Sequence, residues 1–195
     1  CACLVGSEMC IRDRARLCLL NIREKDIVFT VRFLDRFPEQ VSGDYLRVAQ
    51  IFQNILSNAC KFTEQGTITL SLHCKMEEGQ VWFDGCVEDT GVGMTKEKLA
   101  QVFAEYVSFS EDMGVEGFGL GLSIVRQLVE MMHGWVRAES DPGKGTRVSF
   151  GFYQKQVMAE ISEPRNIGRE ILKEQNDPQV EEIQPNWIYP RARVL

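Results

Sequence analysis

Long apolar runs are missing from this 195-residue chain: none approaches the roughly 20 residues of a membrane-spanning helix, so no such span is expected. Clusters of lysine and arginine are missing too. With 22 basic against 28 acidic side chains, a formal charge of -6 and an isoelectric point near 5.1, the chain lacks the electropositive stripe that nucleic-acid binding demands. No cysteines are spaced as C-x-x-C and only two histidines exist, His73 and His133, which excludes the common zinc sites. The seven cysteines are odd in number and irregularly placed, a pattern of reducing compartments, and Cys60, Cys74 and Cys86 read as small core fillers. The segment is therefore expected to be soluble and cytoplasmic, whether or not a parent protein is anchored in a membrane. From Leu99 to Val125 there is no Lys or Arg at all, and Glu105, Glu111, Asp112 and Glu116 make that stretch acidic.

Against these absences stands a 44% apolar content, enough for one full core of ordinary domain size. Three separated patches carry residue types suited to parts of a magnesium nucleotide. In the first, Val48, Ile51, Phe52, Ile55, Leu56 and Ala59 form an apolar helical stripe behind Asp44 as N-cap. Gln50, Asn54, Ser57, Asn58 and Lys61 share the opposite face, since positions three and four apart are neighbours on a helix. An Asn oxygen is a hard neutral ligand suited to Mg²⁺, and Lys61 can meet phosphate as a point cation. An amphipathic helix with a solvated polar face would carry the same pattern.

The second patch, Asp89-Thr90-Gly91-Val92-Gly93-Met94, ends an alternating run from Val81 and reads as a strand followed by a glycine turn. A carboxylate at Asp89 accepts only, so it selects a donor such as the exocyclic amine of adenine, while Gly91 and Gly93 allow close backbone approach to a flat ring. An ordinary Asp-Thr-Gly turn reads the same way. The third patch, Gly117-Phe118-Gly119-Leu120-Gly121-Leu122, opens into a helical pattern over Leu122, Val125, Leu128, Val129 and Met132. Glycines at a helix start present free N–H groups to phosphate. Their alternation departs from the G-x-G-x-x-G spacing of dinucleotide folds.

Together the patches resemble the ATP-binding catalytic domain of sensor histidine kinases, within the superfamily that includes gyrase, mismatch-repair and chaperone ATPases. The resemblance runs from about Ile27 to Tyr153. Asn54 to Thr63 is similar to the N box, Asp89 to Met94 to the G1 box, Val102 to Tyr106 to the F box with Phe103, and Gly117 to Leu122 to the G2 box. Gly143-Lys144-Gly145-Thr146 ahead of Val148, Phe150 and Phe152 completes the order as the last glycine box and final strand. Within the F box, Glu105 and Tyr106 replace the family's usual proline and second phenylalanine.

The resemblance implies ATP and Mg²⁺ as cofactors, with Asn58 as metal ligand, Lys61 on phosphate, Phe62 as a wall of the adenine pocket and Asp89 as its selecting carboxylate. It makes Gly91, Gly93, Gly117, Gly119 and Gly121 the glycines of close approach, with Leu120 and Leu122 in the same box, and sets Thr146 beside Asp89. At position 54 the hydrolases of the superfamily carry a glutamate base; Asn54 cannot abstract a proton, which favours transfer to a histidine over attack by water. The acidic stretch favours a catalytically weak nucleotide-binding module as the alternative, and an ATP hydrolase is a further one. Neither His73 nor His133 stands in an acceptor context. The implied partners are thus the dimerisation and phosphoacceptor domain of the same parent, itself a homodimer, and a response regulator or receiver domain.

The expected layout sets residues 1–20 aside as a non-native or linker segment and assigns 21–155 to the catalytic domain. It reads 156–190 as a disordered acidic linker, and 191–195 as either the start of a receiver domain, making the parent a hybrid kinase, or a frayed tail. The expected fold is a two-layer α/β sandwich, a mixed and mostly antiparallel sheet covered on one face by helices. Strands are expected over Ile27–Phe33, Thr67–Lys75, Val81–Asp89, Trp135–Ser140 and Arg147–Tyr153, and helices over Asp44–Phe62, from Thr95 and over Gly121–His133. Val107 to Glu116 is expected to form a lid over the nucleotide.

Overall fold

The computed structural model describes residues 3–5, 11, 15, 17, 18, 22, 24–35, 37, 41–77, 80–104 and 121–156. Seven strands form one sheet. They are β1 (Cys3–Val5), β2 (Asp26–Phe33), β3 (Val41–Gly43), β4 (Gln65–Glu77), β5 (Gln80–Asp89), β6 (Trp135–Asp141) and β7 (Gly145–Gln156), with helices α1 (Tyr45–Phe62), α2 (Lys96–Ala100) and α3 (Gly121–Met131). β2 runs parallel to β4, and every other pairing is antiparallel. Parallel neighbours need a crossover, which β3 and α1 supply between β2 and β4. β5 covers one edge of β7, and the other edge is shared between β6, facing Gly145–Gly151, and β3, facing Lys155 and Gln156.

Alternation decides which face is covered. Ile68, Leu70, Leu72 and Cys74 on β4, Val81, Phe83 and Val87 on β5, and Val148, Phe150 and Phe152 on β7 are all buried beneath the helices. α1 contributes Ile51, Phe52, Ile55, Leu56 and Ala59, and α3 contributes Val125 and Val129. Phe52 meets Phe150 edge-on at 5.4 Å between centroids, which joins helix layer to sheet. This is the expected two-layer sandwich, and the expected long elements are present with ends shifted by up to a few residues.

α1 is anchored at both ends. The Asp44 carboxylate accepts from the Arg47 N–H at 3.2 Å, as an N-cap should. At the other end the Lys25 ammonium donates to the carbonyls of Cys60 (2.9 Å) and Thr63 (3.0 Å) and to the Glu64 carboxylate (2.9 Å). A cation there satisfies orphan carbonyls and matches the negative end of the helix dipole.

Three differences from the sequence reading have physical causes. β1 and β3 went unpredicted, being too short for alternation to show. Among residues 1–20, Ile11, Ala15 and Cys18 are buried in the same core as Ile22, at helical spacing, although that segment was set aside from fold reasoning. Cys60 is joined to Cys18 in a disulfide rather than standing alone as a core filler. Cys74 and Cys86 are free and buried, and burial together with nearby acids pushes their thiols up to about 12 and about 11, as fits inert packing. His73 sits half-buried on β4. It lies one position past the last β2 pairing, and the Asp35 carboxylate reaches its Nδ1 at 2.9 Å. Residues 157–195 and the expected lid, Val107–Glu116, lie outside the described residues.

Replacing Lys25 by Met keeps the buried stem and removes three charge-assisted bonds. The domain should lose about 1–3 kcal/mol in denaturant unfolding, whereas an unchanged midpoint would show that α1 ends without help from Lys25.

Candidate nucleotide site

One cross-strand row sets the floor of the site. Register places Phe29 beside Ile68, Ile68 beside Asp89, Asp89 beside Thr146 and Thr146 beside Ser140, across β2, β4, β5, β7 and β6. Directly opposed residues share a face, so the row passes from the fully apolar pair Phe29 and Ile68 to three polar side chains without leaving the helix-covered side.

At the centre, Asp89 Oδ1 accepts from the backbone N–H of Gly91 (2.9 Å) and of Thr146 (3.2 Å). Both bonds use the same oxygen, which leaves Oδ2 for a ligand donor. Burial pushes the Asp89 carboxyl above its ordinary range, and the two amide bonds oppose that shift. The following loop is held from two sides: Val92 N–H donates to Phe62 O at 3.2 Å, and Gly143 N–H donates to Val92 O at 2.7 Å. A Cβ at Gly91 would strike the Phe62 carbonyl, and one at Gly93, where φ is +64°, would strike the carbonyl of Asp141. These two glycines are needed for backbone-to-backbone approach within the protein itself.

α1 borders the site along its polar face. Gly121, at the start of α3, lies against Asn54 and Asn58; a Cβ there would come within 3.6 Å of the Asn58 amide. Asn54 Nδ2 is buried with no hydrogen-bond partner, an orphan donor of the kind a ligand oxygen satisfies. Lys61 lies with Nζ 5.2 Å from the centroid of the Phe62 ring. Leu122 packs against the core, and Phe103 lies in the turn after α2. Gly117, Gly119 and Leu120 fall outside the described residues. Among the described residues no group of three or more His, Cys, Asp or Glu could hold a metal ion. The donor set thus fits a Mg²⁺ that arrives with phosphate oxygens and takes one amide oxygen from Asn58; it does not fit an ion caged by protein alone.

Residues 43–156 match the family described as histidine kinase-, DNA gyrase B-, and HSP90-like ATPase. The chain belongs to that family. Its similarity to histidine kinases extends beyond the family match: it is 31% identical to the aerobic respiration control sensor protein ArcB of Escherichia coli (strain K12), over 93% of this chain and 23% of ArcB. It is 36% identical to hybrid signal transduction histidine kinase B of Dictyostelium discoideum, over 69% of this chain and 7% of that protein. The chain therefore spans under a quarter of either relative. Among solved structures, full-length ShkA in complex with AMPPNP matches with a TM-score of 0.64 and 30% identity, covering 80% of this chain and 32% of ShkA.

Sequence reasoning missed one polar residue of this ATPase-family site. Ser140 Oγ lies 2.8 Å from Gly145 O, 3.0 Å from Thr146 Oγ1 and 2.8 Å from Met94 N. The signal was available, since Val136 and Ala138 alternate with it, and a serine that continues an apolar alternation beside a Gly-Thr turn faces the core side.

The Asp89 proton should act with opposite signs on ligand and fold. The raised value means that this group's contribution to stability is present at low pH and lost as pH climbs through it. A protonated carboxyl accepts poorly, so ATP affinity should fall on acidification, beginning above the range of an ordinary aspartate. Calorimetric titrations with ATP stepped down from neutral pH check this; affinity that stays flat until an ordinary carboxylate range would refute the role of Asp89.

Proposed function

We propose that this domain binds Mg-ATP and passes the γ-phosphate to a histidine that belongs to a separate dimerisation and phosphoacceptor domain of the same parent protein. The observation that carries the reading is the junction of two halves: a polar row headed by the Asp89 carboxylate, and an α1 face whose Asn54 donor is buried and unsatisfied beside Asn58.

In this reading Asp89 Oδ2 takes the exocyclic amine of adenine, with Thr146 beside it, and the Gly91–Gly93 turn and Phe62 line the base. Asn58 would hold the metal through its amide oxygen, and the metal would supply charge neutralisation to the phosphates. Lys61 meets phosphate charge, and Gly121 and Leu122 serve the phosphate end, the role that the resemblance also gives to Gly117, Gly119 and Leu120. Phe103 contributes to the far wall. Asn54 orients phosphate or water through its amide and withdraws no proton. This supports transfer to imidazole, already a nucleophile when neutral, over hydrolysis. Catalysis is then positioning and electrostatics, as phosphoryl transfer requires.

The acceptor lies elsewhere. His73 is engaged by Asp35 on the face away from the helices, and His133 terminates α3 in the left-handed region at φ 54°. The parent is a homodimeric, cytoplasmically active signalling protein whose phosphohistidine serves a response regulator or receiver domain; similarity to a hybrid kinase supports the latter. A second reading, a nucleotide-binding regulatory module with little transfer activity, is favoured by the absence of Lys and Arg from Leu99 to Val125.

Two measurements test this. In calorimetry, wild type should bind ATP with an affinity that Mg²⁺ raises, Asn58→Ala should lose that metal dependence, and Asp89→Asn should bind at least about tenfold more weakly, one lost charge-assisted bond. With a phosphoacceptor domain added, labelled phosphate should move to histidine. Binding without transfer would favour the regulatory module, and phosphate release with no acceptor present would revive the hydrolase.

A further inference from the structure

The hydroxyl network around Ser140 has only one consistent arrangement of protons. Gly145 O is an acceptor without a proton, and at 2.8 Å from Ser140 Oγ the two oxygens would repel unless a proton lay between them. Serine has one such proton, so it is spent there. Met94 N–H, 2.8 Å away, donates to Ser140 Oγ and occupies a lone pair. The remaining neighbour is Thr146 Oγ1 at 3.0 Å. Ser140 has nothing left to donate, so Thr146 is the donor in that bond. Its hydroxyl proton points along the row away from Asp89, and its other lone pairs remain.

The same row then offers a base only acceptors: Asp89 Oδ2 and Thr146 Oγ1. We propose that Ser140 is a positioning residue that fixes the hydrogen-bond polarity of Thr146 and thereby restricts the site to purines bearing an amino group at C6. This deepens the nucleotide reading above and rests on it. A 6-oxopurine could offer its N1–H to Asp89, but its O6 would then face a threonine oxygen that cannot turn to donate. An unmet acceptor beside an acceptor is a strong basis for rejection, because the site's own polar groups are left unpaired. Without Ser140, the Thr146 hydroxyl is free to rotate and donate to O6. Ser140 also ties Met94 to the β6–β7 turn, so a purely structural role would weaken every nucleotide alike.

The test is calorimetric titration of the whole chain with ATP and with ITP, both with Mg²⁺, for wild type, Ser140→Ala, Ser140→Thr and Thr146→Val. Wild type should prefer ATP. Ser140→Ala should shrink the ATP-to-ITP affinity ratio by about tenfold, chiefly by gaining ITP, and Ser140→Thr, which keeps the hydroxyl, should restore it. Thr146→Val removes the acceptor while leaving the Ser140 bonds to Gly145 O and Met94 N in place, and should lower ATP affinity with no gain of ITP, so the proposal stays exposed even if Ser140→Ala does not fold. Equal loss of both nucleotides in Ser140→Ala with the ratio intact, or an ITP gain in Thr146→Val, would overturn the inference while leaving the nucleotide site standing. A folded wild type that binds neither nucleotide would overturn both.

Discussion

Two backbone amides converge on a single oxygen of Asp89, and the rest of the site is arranged around that fact. One amide belongs to the turn directly after β5, the other to the strand paired beside it, so the carboxylate is oriented by main chain and not by rotamer preference. Main-chain donors are rigid once the β5–β7 ladder has formed, and the ladder runs unbroken from Gln80–Lys155 to Asp89–Thr146. Core packing under α1 and α3 holds the ladder, and the ladder holds the carboxylate. The cost is the desolvation of a charged group, seen in its raised pKa, and the two amide bonds offset part of it.

Much of this was legible in the chain. The long elements follow from periods of 3.6 and 2, because a two-layer sandwich buries one face of each element and so imprints alternation on every strand. Asp89, Gly91, Gly93, Asn54 and Asn58 stood out because each is a residue type with a chemical reason to sit where it does. What stayed hidden shares a cause: it depends on partners distant in sequence. Lys25 reads as an ordinary surface lysine until the end of α1 is brought to it. Ile11, Ala15 and Cys18 gain meaning only against α1 and Ile22, and Cys60 gains its partner from Cys18. Three-residue strands carry too few positions for a pattern. Ser140 was readable in principle, but its partners lie on β7 and in the loop after β5.

The two glycines after Asp89 differ in kind from the glycines of the third patch. Gly91 and Gly93 are required by contacts inside the protein, with Phe62 O and Asp141 O, and would be required with no ligand in mind. Gly121 has room for a Cβ, which would lie in ordinary contact with the Asn58 amide and the Asn54 Cβ. The first pair shapes a rigid wall; the last leaves space at a boundary between two helices.

The far end of α3 is stapled. Gly134 N–H reaches back to Val129 O at 2.9 Å, His133 adopts the left-handed turn that closes such a helix, and Tyr153 N–H reaches Met132 O at 3.2 Å. A Cβ at Gly134 would meet the Gly151 carbonyl. The helix is thus tied to β7 by main chain at one end and lies against the polar face of α1 at the other, so it joins the sheet to the helix that carries Asn58.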